Sequence, residues 1–544
     1  MKIARVISKP RLTGDTLRRR ILLGALTCLA AVLTGCGGGS DPGSGAKPTL
    51  TAFITATPTD IDKGQTSMLA WWTSGATNTT ISGIGSVPPI GSRQVAPHAT
   101  DTYTLTASGA GGTRRSSVTV TVTHSETPIS HVIVIFLENR STDNLFHGLP
   151  GADIANTGIN SKGETITLTA QPLDNDYDLS HSHIDFVRSY DGGKMDGADR
   201  VGAACVGEDR TSCLPPNPQF GYVNPQDVAP YFQMAENYTF ADRMFQTNQG
   251  PSFPAHQFIF SATSTPSEDS DLLVAENPRG PKLFTRSGCV APDGQTVLTI
   301  DPNGVESIAL YPCFEHTTLS DSLEAAGLSW RYYSAGLGNI WTAPNAIRHI
   351  CEPNAATNGQ CIGQDWVSHL DSQPADLLAD IAGGDLAAVS WIMPPGLSSD
   401  HPGTNDGSGP SWVASVVNAV GNSSYWANTV IFVTWDDWGG WYDHVAPPII
   451  NSYEYGFRVP LIIVSAYARP GYVSHATHDF GSIVRFAEVT FGLPSLGFAD
   501  AVADDFSDCF DFKQAPRPFQ KIDAPLGEEF FLHDQRPDVP LDND

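Results

Sequence analysis

The sequence predicts an α/β domain on a central, mainly parallel β-sheet covered by helices, with a small all-β module before it. Three apolar runs, His131–Leu137, Val430–Thr434 and Val459–Ser465, are continuous rather than alternating. Such runs are typical of a sheet that is buried on both faces. Upstream, apolar residues alternate with threonines over Tyr103–Ala107 and Val118–Val122, which predicts short strands with one exposed face.

Composition and charge argue against several classes of protein. The 544 residues include 31 Lys and Arg against 58 Asp and Glu, so the formal net charge is −27. With 40% hydrophobic and 16% charged residues, the chain is neither disordered nor a coiled coil. Its acidity argues against nucleic acid as a partner, because nucleic-acid binding needs clustered Lys and Arg.

The N-terminus has the features of an export signal. Arg18, Arg19 and Arg20 precede an apolar run, residues 21–34, that is too short for a mature membrane span. The run ends in Leu-Thr-Gly-Cys at 33–36, which resembles the lipobox of bacterial lipoproteins. Residues 1–35 are therefore expected to be a lipoprotein signal peptide, with Cys36 lipidated. The alternative is an ordinary cleaved signal, and both place the protein outside the cytoplasm.

Two segments follow the predicted signal. Residues 36–47 are rich in Gly and Ser and are expected to form a flexible tether to a bacterial membrane, at the periplasmic face or the cell surface. Residues 48–124 contain the alternating strands with turn glycines between them, which favours a small β-sandwich. This segment resembles the immunoglobulin-like modules of exported bacterial proteins, for which a spacer or adhesion role is expected.

The cysteines suit an oxidising compartment. Seven of the nine remain after the signal and the lipidated position are set aside. Short spacings favour the pairs Cys205–Cys213, Cys289–Cys313 and Cys351–Cys361, with Cys509 unpaired, although six cysteines allow fifteen connectivities. A zinc cluster is the alternative, but none of these cysteines has the C-x2-C spacing.

Acidic and amide side chains follow two of the predicted strands. Glu138-Asn139-Arg140-Ser141 comes directly after the first apolar run, and Asp436-Asp437 lies just after the second. Ligands of open parallel sheets sit beyond the carboxyl ends of the strands, so both groups are expected in one crevice. Each group alone has a plainer interpretation as caps and turns. Together they favour a divalent-cation site, because clustered carboxylates repel one another unless a cation or a proton lies between them.

A serine and several histidines complete the candidate site. Pro254 predicts the first turn of a helix, which places Ser252 at or before its N-terminus, where phosphate is favoured; the alternative is a plain N-cap. His181 and His401 lie in polar loops and could protonate a leaving oxygen. Whether His475 or His478 takes part stays open.

Seven segments in order resemble the bacterial phosphoesterase family of phosphatidylcholine-type phospholipases C and respiratory-burst-inhibiting acid phosphatases. The resemblance spans most of residues 130–512, within a catalytic domain predicted at 127–544, and implies an alkaline-phosphatase-like sheet flanked by helices. The segments are E-N-R-S at 138–141, D-x-x-H-S at 178–182, G-G-K-M-D-G at 192–197, G-P-S-x-P at 250–254, S-D-H-P at 399–402, T-W-D-D-W-G-G-W-Y-D-H-V at 434–445 and R-V-P at 458–460.

The resemblance also implies roles for individual residues. By position, the metal ligands would be Glu138, Asn139, Asp436 and Asp437. Ser252 would be the nucleophile that forms a phosphoenzyme, and His181 and His401 would bind phosphate and transfer protons. Three departures stand out. Phospholipases of the family usually have Thr at the nucleophile position and Asn-Arg where this chain has Ala255-His256, and many members have Tyr-Asp-His where it has His478-Asp479-Phe480.

The predicted function is therefore that of a metal-dependent phosphoric ester hydrolase acting through phosphoserine. The substrate is a phosphomonoester or a phospholipid head group, and the membrane partner is reached through the lipid anchor. Tryptophans around Asp436 could form an apolar entrance for lipid or pack in the core, and core packing is favoured beside a strand. The alternative from another class is an inactive adhesion or scaffold lipoprotein. Metal identity and oligomeric state stay open.

Overall fold

The computed structural model describes residues 50–62, 66–97, 101–109, 112–123, 127–206, 212–280, 286–354 and 359–537. The predicted signal peptide at 1–35, the lipidated Cys36 and the tether at 36–47 lie outside these ranges. Within them, no helix combines the length and the apolar character that a membrane crossing requires.

The described residues up to Thr123 form mostly short strands, as the alternating pattern predicts. Tyr103, Leu105 and Ala107 are buried, and so are Val120 and Val122, while the threonines between them are more exposed. The strands are β1 (Thr51–Thr57), β2 (Asp60–Asp62), β3 (Ser67–Ser74), β4 (Asn78–Ile81), β5 (Gly85–Ser86), β6 (Ile90–Val95), β7 (Asp101–Gly109) and β8 (Gly112–Thr123). They belong to a three-stranded sheet in the order β1-β3-β6 and a five-stranded sheet in the order β2-β8-β7-β4-β5.

The rest of the described chain is a mixed α/β region. Its strands are β9 (His131–Leu137), β10 (Thr157–Ile159), β11 (Thr165–Thr167), β12 (Thr169–Gln171), β13 (Tyr177–Leu179), β14 (Ala203–Cys205), β15 (Gly221–Val223), β16 (Thr239–Ala241), β17 (Leu273–Val274), β18 (Val297–Ile300), β19 (Glu306–Leu310), β20 (Trp330–Ser334), β21 (Pro353–Asn354), β22 (Gln360–Cys361), β23 (Leu370–Asp371), β24 (Val389–Met393), β25 (Thr429–Trp435), β26 (Leu461–Ser465) and β27 (Tyr472–Ser474).

The helices of this region are α1 (Thr142–Leu145), α2 (His183–Tyr190), α3 (Ala229–Asn237), α4 (Ser252–Ser261), α5 (Leu319–Ala325), α6 (Arg348–Cys351), α7 (Gln364–His369), α8 (Asp376–Gly383), α9 (Gly409–Gly421), α10 (Phe480–Phe491) and α11 (Glu528–Leu532). Short 3₁₀ turns lie at Asp191–Gly193, Ala198–Arg200, Pro218–Phe220, Gly288–Val290, Ala343–Ala346, Gly396–Ser398, Ser424–Asn428 and Ala499–Ala501. The sequence pattern predicts helices at residues 319–326, 412–420 and 481–492, and α5, α9 and α10 confirm them.

An eight-stranded sheet forms the centre of this region, in the order β23-β20-β24-β9-β25-β26-β16-β27. The first five strands are all parallel, which confirms the mainly parallel sheet. Both faces of β9, β24 and β25 are buried. In these three strands every residue except His131 is shielded from solvent. The run at 459–465 enters the sheet as β26, which is antiparallel to β25 and to β16.

Turn chemistry and disulfides fix the segments around the sheet. Helix α10 begins with Asp479 as N-cap in a capping box and ends at Gly492 in the left-handed region. The three disulfides expected from the spacings are formed, and Cys509 is a buried free thiol. A disulfide stabilises the folded protein chiefly by reducing the conformational freedom of the unfolded chain. The three bridges act in this way on the loops that they close.

Candidate active site

Two parallel strands bring the predicted metal ligands to one edge of the sheet. Leu137 at the end of β9 pairs with Trp435 at the end of β25, so the residues that follow both strands leave at the same place. The backbone nitrogen of Asp436 donates to the carbonyl of Leu137 at 2.9 Å. The backbone nitrogen of Asn139 donates in turn to Oδ1 of Asp436, also at 2.9 Å. The acidic strand ends therefore meet, as the sequence predicts.

Ser252 is the first residue of α4 and points at this edge. Its Oγ lies 3.4 Å from Oε2 of Glu138 and 3.4 Å from Oδ2 of Asp437. The N-cap residue is Pro251, so the hydroxyl of Ser252 does not cap the helix. Glu138, Asn139, Ser252, Asp436 and Asp437, together called the sheet-edge cluster below, are all buried.

Both predicted histidines contact the cluster through Asn139. Nδ2 of Asn139 lies 3.1 Å from Nε2 of His181 and 3.4 Å from Nε2 of His401. The opposite ring nitrogens, Nδ1, lie 2.8 Å from the carbonyl oxygens of Leu179 and Pro402. A carbonyl can only accept, so each Nδ1 carries a proton, and in a ring with a single proton Nε2 is then an acceptor. In that state the amide of Asn139 presents its nitrogen to the two rings.

This orientation leaves oxygen atoms of the cluster without a partner. Oδ1 of Asn139 is buried and lacks a hydrogen-bond partner among the described residues. Oδ1 of Asp436 accepts from two backbone nitrogens, while its Oδ2 has no partner in the same part of the chain. Buried polar atoms are normally satisfied. Oδ1 of Asn139 and Oδ2 of Asp436 thus lack partners in a site that also contains three buried carboxylates. A divalent cation takes oxygen ligands of this kind and would satisfy both atoms.

His256 is a site residue that the sequence analysis did not assign. It lies one helical turn after Ser252 on α4, and its Nε2 is 3.2 Å from Oε1 of Glu138. Ligand atoms of Glu138, His256 and Asp436 all lie within 4.8 Å of one another. Burial lowers the pKa of His256 to about 4, against the opposing charge of Asp436, so the ring is neutral. The four-residue spacing from Ser252 on a predicted helix was the available signal.

The backbone around the site is unusual at two positions. Asn139 has φ 60° and Asp400 has φ 70°, the left-handed region that residues other than glycine seldom adopt. Such strain is held by surrounding contacts and concentrates at functional sites. Here it turns the chain sharply after β9 and just before His401.

Asp400 is held by a buried polar network beneath His401. Arg140 donates to its carbonyl oxygen through Nε at 3.0 Å and Nη2 at 2.7 Å. Its Oδ2 accepts from the hydroxyl of Tyr231 at 2.8 Å and from Nε1 of Trp435 at 3.2 Å. Burial raises the pKa of Asp400 to about 6, although Arg140 and both hydrogen bonds oppose the shift. This network fixes the loop that presents His401.

Other sequence candidates lie elsewhere or pack in the core. Trp435, Trp438 and Trp441 are buried, which agrees with core packing rather than an apolar entrance. His475 is more than half exposed and pairs with Asp242. His478 contacts Ser474 and Asp504. The structure thus brings together the seven predicted metal, nucleophile and imidazole residues, and neither His475 nor His478 adds a described contact to them.

Comparison with known proteins finds relatives that are named phospholipases C. The non-hemolytic phospholipase C of Pseudomonas aeruginosa is 26% identical over 447 residues, which cover 71% of this chain and 57% of that protein. Phospholipase C B of Mycobacterium tuberculosis is 24% identical, covering 72% of this chain and 79% of that protein. The chain spans a little over half the length of the Pseudomonas relatives that it matches.

Solved structures and a family model complete the comparison. A protein of the alkaline phosphatase superfamily from Vibrio parahaemolyticus aligns with a TM-score of 0.31 and 9% identity, covering 69% of this chain and 70% of that one. The model of the Phosphoesterase family matches residues 129–494, which contain the whole sheet-edge cluster. Because the match covers more than half of the 544 residues, the chain belongs to the Phosphoesterase family, as its motifs predict.

Proposed function

We propose that this protein is a metal-dependent hydrolase of phosphoric ester bonds that acts through a phosphoserine on Ser252. The observation that carries the proposal is the position of the Ser252 hydroxyl, 3.4 Å from carboxylate oxygens of both Glu138 and Asp437. A serine at the N-terminus of a ten-residue helix also lies where the helix dipole favours an anionic phosphate. Membership of the Phosphoesterase family supports the same reaction.

The residues present fit a divalent cation. Glu138, Asn139, Asp436 and Asp437 would hold it, and His256 is near enough to contribute a nitrogen. When bound, the cation would lower the pKa of the serine hydroxyl and shield the phosphate from the carboxylates. The donor set of oxygens with one imidazole suits several divalent ions and does not select one.

The chain's own groups then account for the proton and bond changes. The oxygen of Ser252 forms a bond to phosphorus while the ester bond to the leaving alcohol breaks. The hydroxyl proton passes to a neighbouring carboxylate. Nε2 of His181 or His401 first takes up a proton from solvent and then gives it to the leaving oxygen, while Nδ1 of the same ring stays bound to a backbone carbonyl. Water then hydrolyses the phosphoserine and restores the serine hydroxyl.

The substrate class proposed is a phosphomonoester or a phospholipid head group. Relatives of this chain are named phospholipases C, which supports the second class. For a phospholipid, the leaving alcohol is diacylglycerol and the final product is the phosphorylated head group. An inactive scaffold protein would not need the cluster, whereas every proposed position carries a side chain that is competent for its role.

The remaining parts of the chain complete the proposal. We infer an alkaline-phosphatase-like architecture for residues 127–544, which the central sheet and its covering helices support. An immunoglobulin-like sandwich at residues 48–124 is supported by the two small sheets. A signal peptide at 1–35, lipidation of Cys36 and a tether at 36–47 would anchor the enzyme in the bacterial cell envelope.

Trapping the covalent intermediate tests this function. The purified chain is mixed with p-nitrophenyl phosphate or with phosphatidylcholine vesicles and quenched in acid, and its peptides are then analysed by mass spectrometry. We expect a phosphoryl or phosphodiester adduct on the peptide that contains Ser252, and its loss after chelation. Product release without any adduct on that peptide would contradict the mechanism. Release of diacylglycerol or of inorganic phosphate distinguishes the two substrate classes.

A further inference from the structure

A second group of potential metal ligands lies next to the start of α10, in a part of the chain that the proposed reaction does not use. His478, Asp508 and Cys509 each offer one ligand atom, and these atoms all lie within 4.8 Å of one another. His478 and Cys509 are fully buried, while Asp508 is partly exposed. Together with Ser474 these residues are called the Cys509 cluster below.

Two segments of the chain meet in this cluster. Ser474 ends β27 and His478 precedes α10, whereas Asp508 and Cys509 belong to a loop near the end of the described chain. Nε2 of His478 lies 3.1 Å from Oγ of Ser474, and Sγ of Cys509 lies 3.3 Å from Oδ1 of Asp508. The hydroxyl of Ser474 also contacts Oδ2 of Asp508.

A buried nitrogen of the cluster has no hydrogen-bond partner. Nδ1 of His478 lies 3.0 Å from Oδ1 of Asp504, but it forms no hydrogen bond with any described residue. Buried polar atoms are normally satisfied. A cation bound to Nε2 would place the ring proton on Nδ1, beside the carboxylate of Asp504. Without a cation, a ring protonated at Nε2 donates to Ser474, which is the competing arrangement.

The donor types point to a thiophilic metal. Thiolate, imidazole and carboxylate are the ligands of four-coordinate zinc, whereas Mg²⁺ and Ca²⁺ prefer oxygen alone. Ligand atoms around a zinc ion lie about 3.5 Å apart, so only small shifts would close the cluster. Asp504 would then orient His478 through the ring nitrogen that does not bind the metal, a common arrangement at such sites.

Neither a catalytic triad nor a disulfide accounts for these residues. Ser474, His478 and Asp504 are spaced like a nucleophile, a base and its orienting acid, but Ser474 is fully buried and offers no oxygen to a substrate. Cys509 has no cysteine to pair with among the described residues, because the other six there form three disulfides.

We propose that His478, Asp508 and Cys509 bind a zinc-class divalent cation, with the hydroxyl of Ser474 at the fourth position. The bound ion would cross-link the loop at 504–509 to the segment at 474–478, as a structural site separate from the sheet-edge cluster. The partly exposed Asp508 gives the ion a path from solvent. The site would stabilise the folded chain by binding it in preference to the unfolded one.

Cobalt and zinc binding to the full-length protein test the proposal. After chelation and dialysis, Co²⁺ is added and the near-ultraviolet spectrum is recorded for thiolate-to-cobalt charge transfer. We expect the band in the wild type and in Asp436→Asn, which alters only the sheet-edge cluster, and its loss in Cys509→Ser. Zinc content by mass spectrometry should fall by one equivalent per chain in Cys509→Ser, whereas zinc lost from Asp436→Asn would come from the sheet-edge cluster and leave the thiolate band unchanged.

The outcomes separate a metal from a protonated histidine. A folded wild type that shows no thiolate band with Co²⁺ would overturn the proposal, as would a Cys509→Ser variant that retains all of its zinc. If Cys509→Ser does not fold, X-ray absorption at the zinc edge of the wild type decides the question. One sulfur neighbour supports the site, and a shell of oxygen and nitrogen alone refutes it.

Discussion

Nε2 of His256 lies 3.2 Å from Oε1 of Glu138, inside a site whose other donors are oxygens. The ring is neutral because burial lowers its pKa to about 4, so it can give a lone pair to a cation or a hydrogen bond to the carboxylate. In either role His256 would support the cation that we propose for the sheet-edge cluster.

Replacing His256 is expected to weaken metal binding. His256→Ala should raise the dissociation constant for Mn²⁺ by about 10- to 100-fold, the usual effect of removing a supporting group at a metal site. Isothermal titration of the chelated protein measures it, and Mn²⁺ is chosen because it disfavours the thiolate of the Cys509 cluster. His475→Ala, which removes an exposed ring paired with Asp242, is the matched control. Equal constants for both variants would remove His256 from the site.

Loss of the Ser252 hydroxyl should abolish turnover without unfolding the protein. Ser252→Ala is expected to lower kcat by about 10⁴-fold or more, as removal of a catalytic nucleophile does elsewhere. Ser261→Ala is the matched control, because Ser261 is equally buried at the other end of α4. Activity on p-nitrophenyl phosphate and on phospholipid vesicles, with thermal unfolding of each variant, checks the prediction. Undiminished activity on both substrates would show that another group attacks phosphorus.

Gly439 controls the position of Asn139. It has φ +61°, and a Cβ there would lie 2.3 Å from the carbonyl oxygen of Asn139, so a side chain must displace that backbone. We expect Gly439→Ala to lower kcat/KM by at least about 100-fold, because misplacing reacting groups by about 1 Å has effects of this size. Gly163→Ala is the control for backbone strain alone. Gly163 also has a positive φ, +77°, but a Cβ there would have no atom within 4 Å to displace. Similar losses in both variants would indicate general strain.

Asp400 should make stability depend on pH in a defined window. Burial raises its pKa to about 6, whereas an unfolded Asp titrates near 3.9. Between these values the folded state holds a proton that the unfolded chain has released. The free energy of unfolding therefore falls as pH rises from about 4 to about 6, by about 3 kcal/mol in total.

The Asp400→Asn variant removes this contribution and keeps a residue type that tolerates a left-handed backbone. Urea unfolding of both proteins at pH 4, 5, 6 and 7 gives the difference in free energy of unfolding. The wild type should lose about 3 kcal/mol relative to the variant over this range. Asp385→Asn, at an exposed position, is the control. A difference that does not change with pH would contradict the expected burial effect.

The sequence predicted the parts of the site that leave local signals. Strand β9 is buried on both faces, so its sequence is an unbroken apolar run. The end of this run marks Glu138 as the first residue after the strand. Strands β16 and β27 were not predicted, because three residues each are too few to show a period. The direction of β26 also leaves no trace in its composition, since an antiparallel strand buried on both faces is as apolar as its parallel neighbours.

Contacts between distant segments account for what was missed at the site. The network around Asp400 joins α3 and β25, through Tyr231 and Trp435, to the turn that contains Arg140. The spacing of these residues in the sequence does not indicate that they meet. His256 differs, because it shares a helix with Ser252 and could have been found by counting one turn. The two orphaned oxygens at Asn139 and Asp436 appear only once side-chain orientations are known.

The place of β9 in the sheet has a consequence for how the chain reaches its native state. This strand comes first in the sheet's sequence order, yet it lies between β24 and β25, whose residues are synthesised roughly 250 to 300 positions later. Contacts so distant in sequence are slow to form. Until β25 has been made, the apolar segment 131–137 lacks at least one of its two neighbours and must be kept from aggregating. We therefore expect fragments that stop before β25 to need a holding chaperone, whereas the complete chain does not once it is folded.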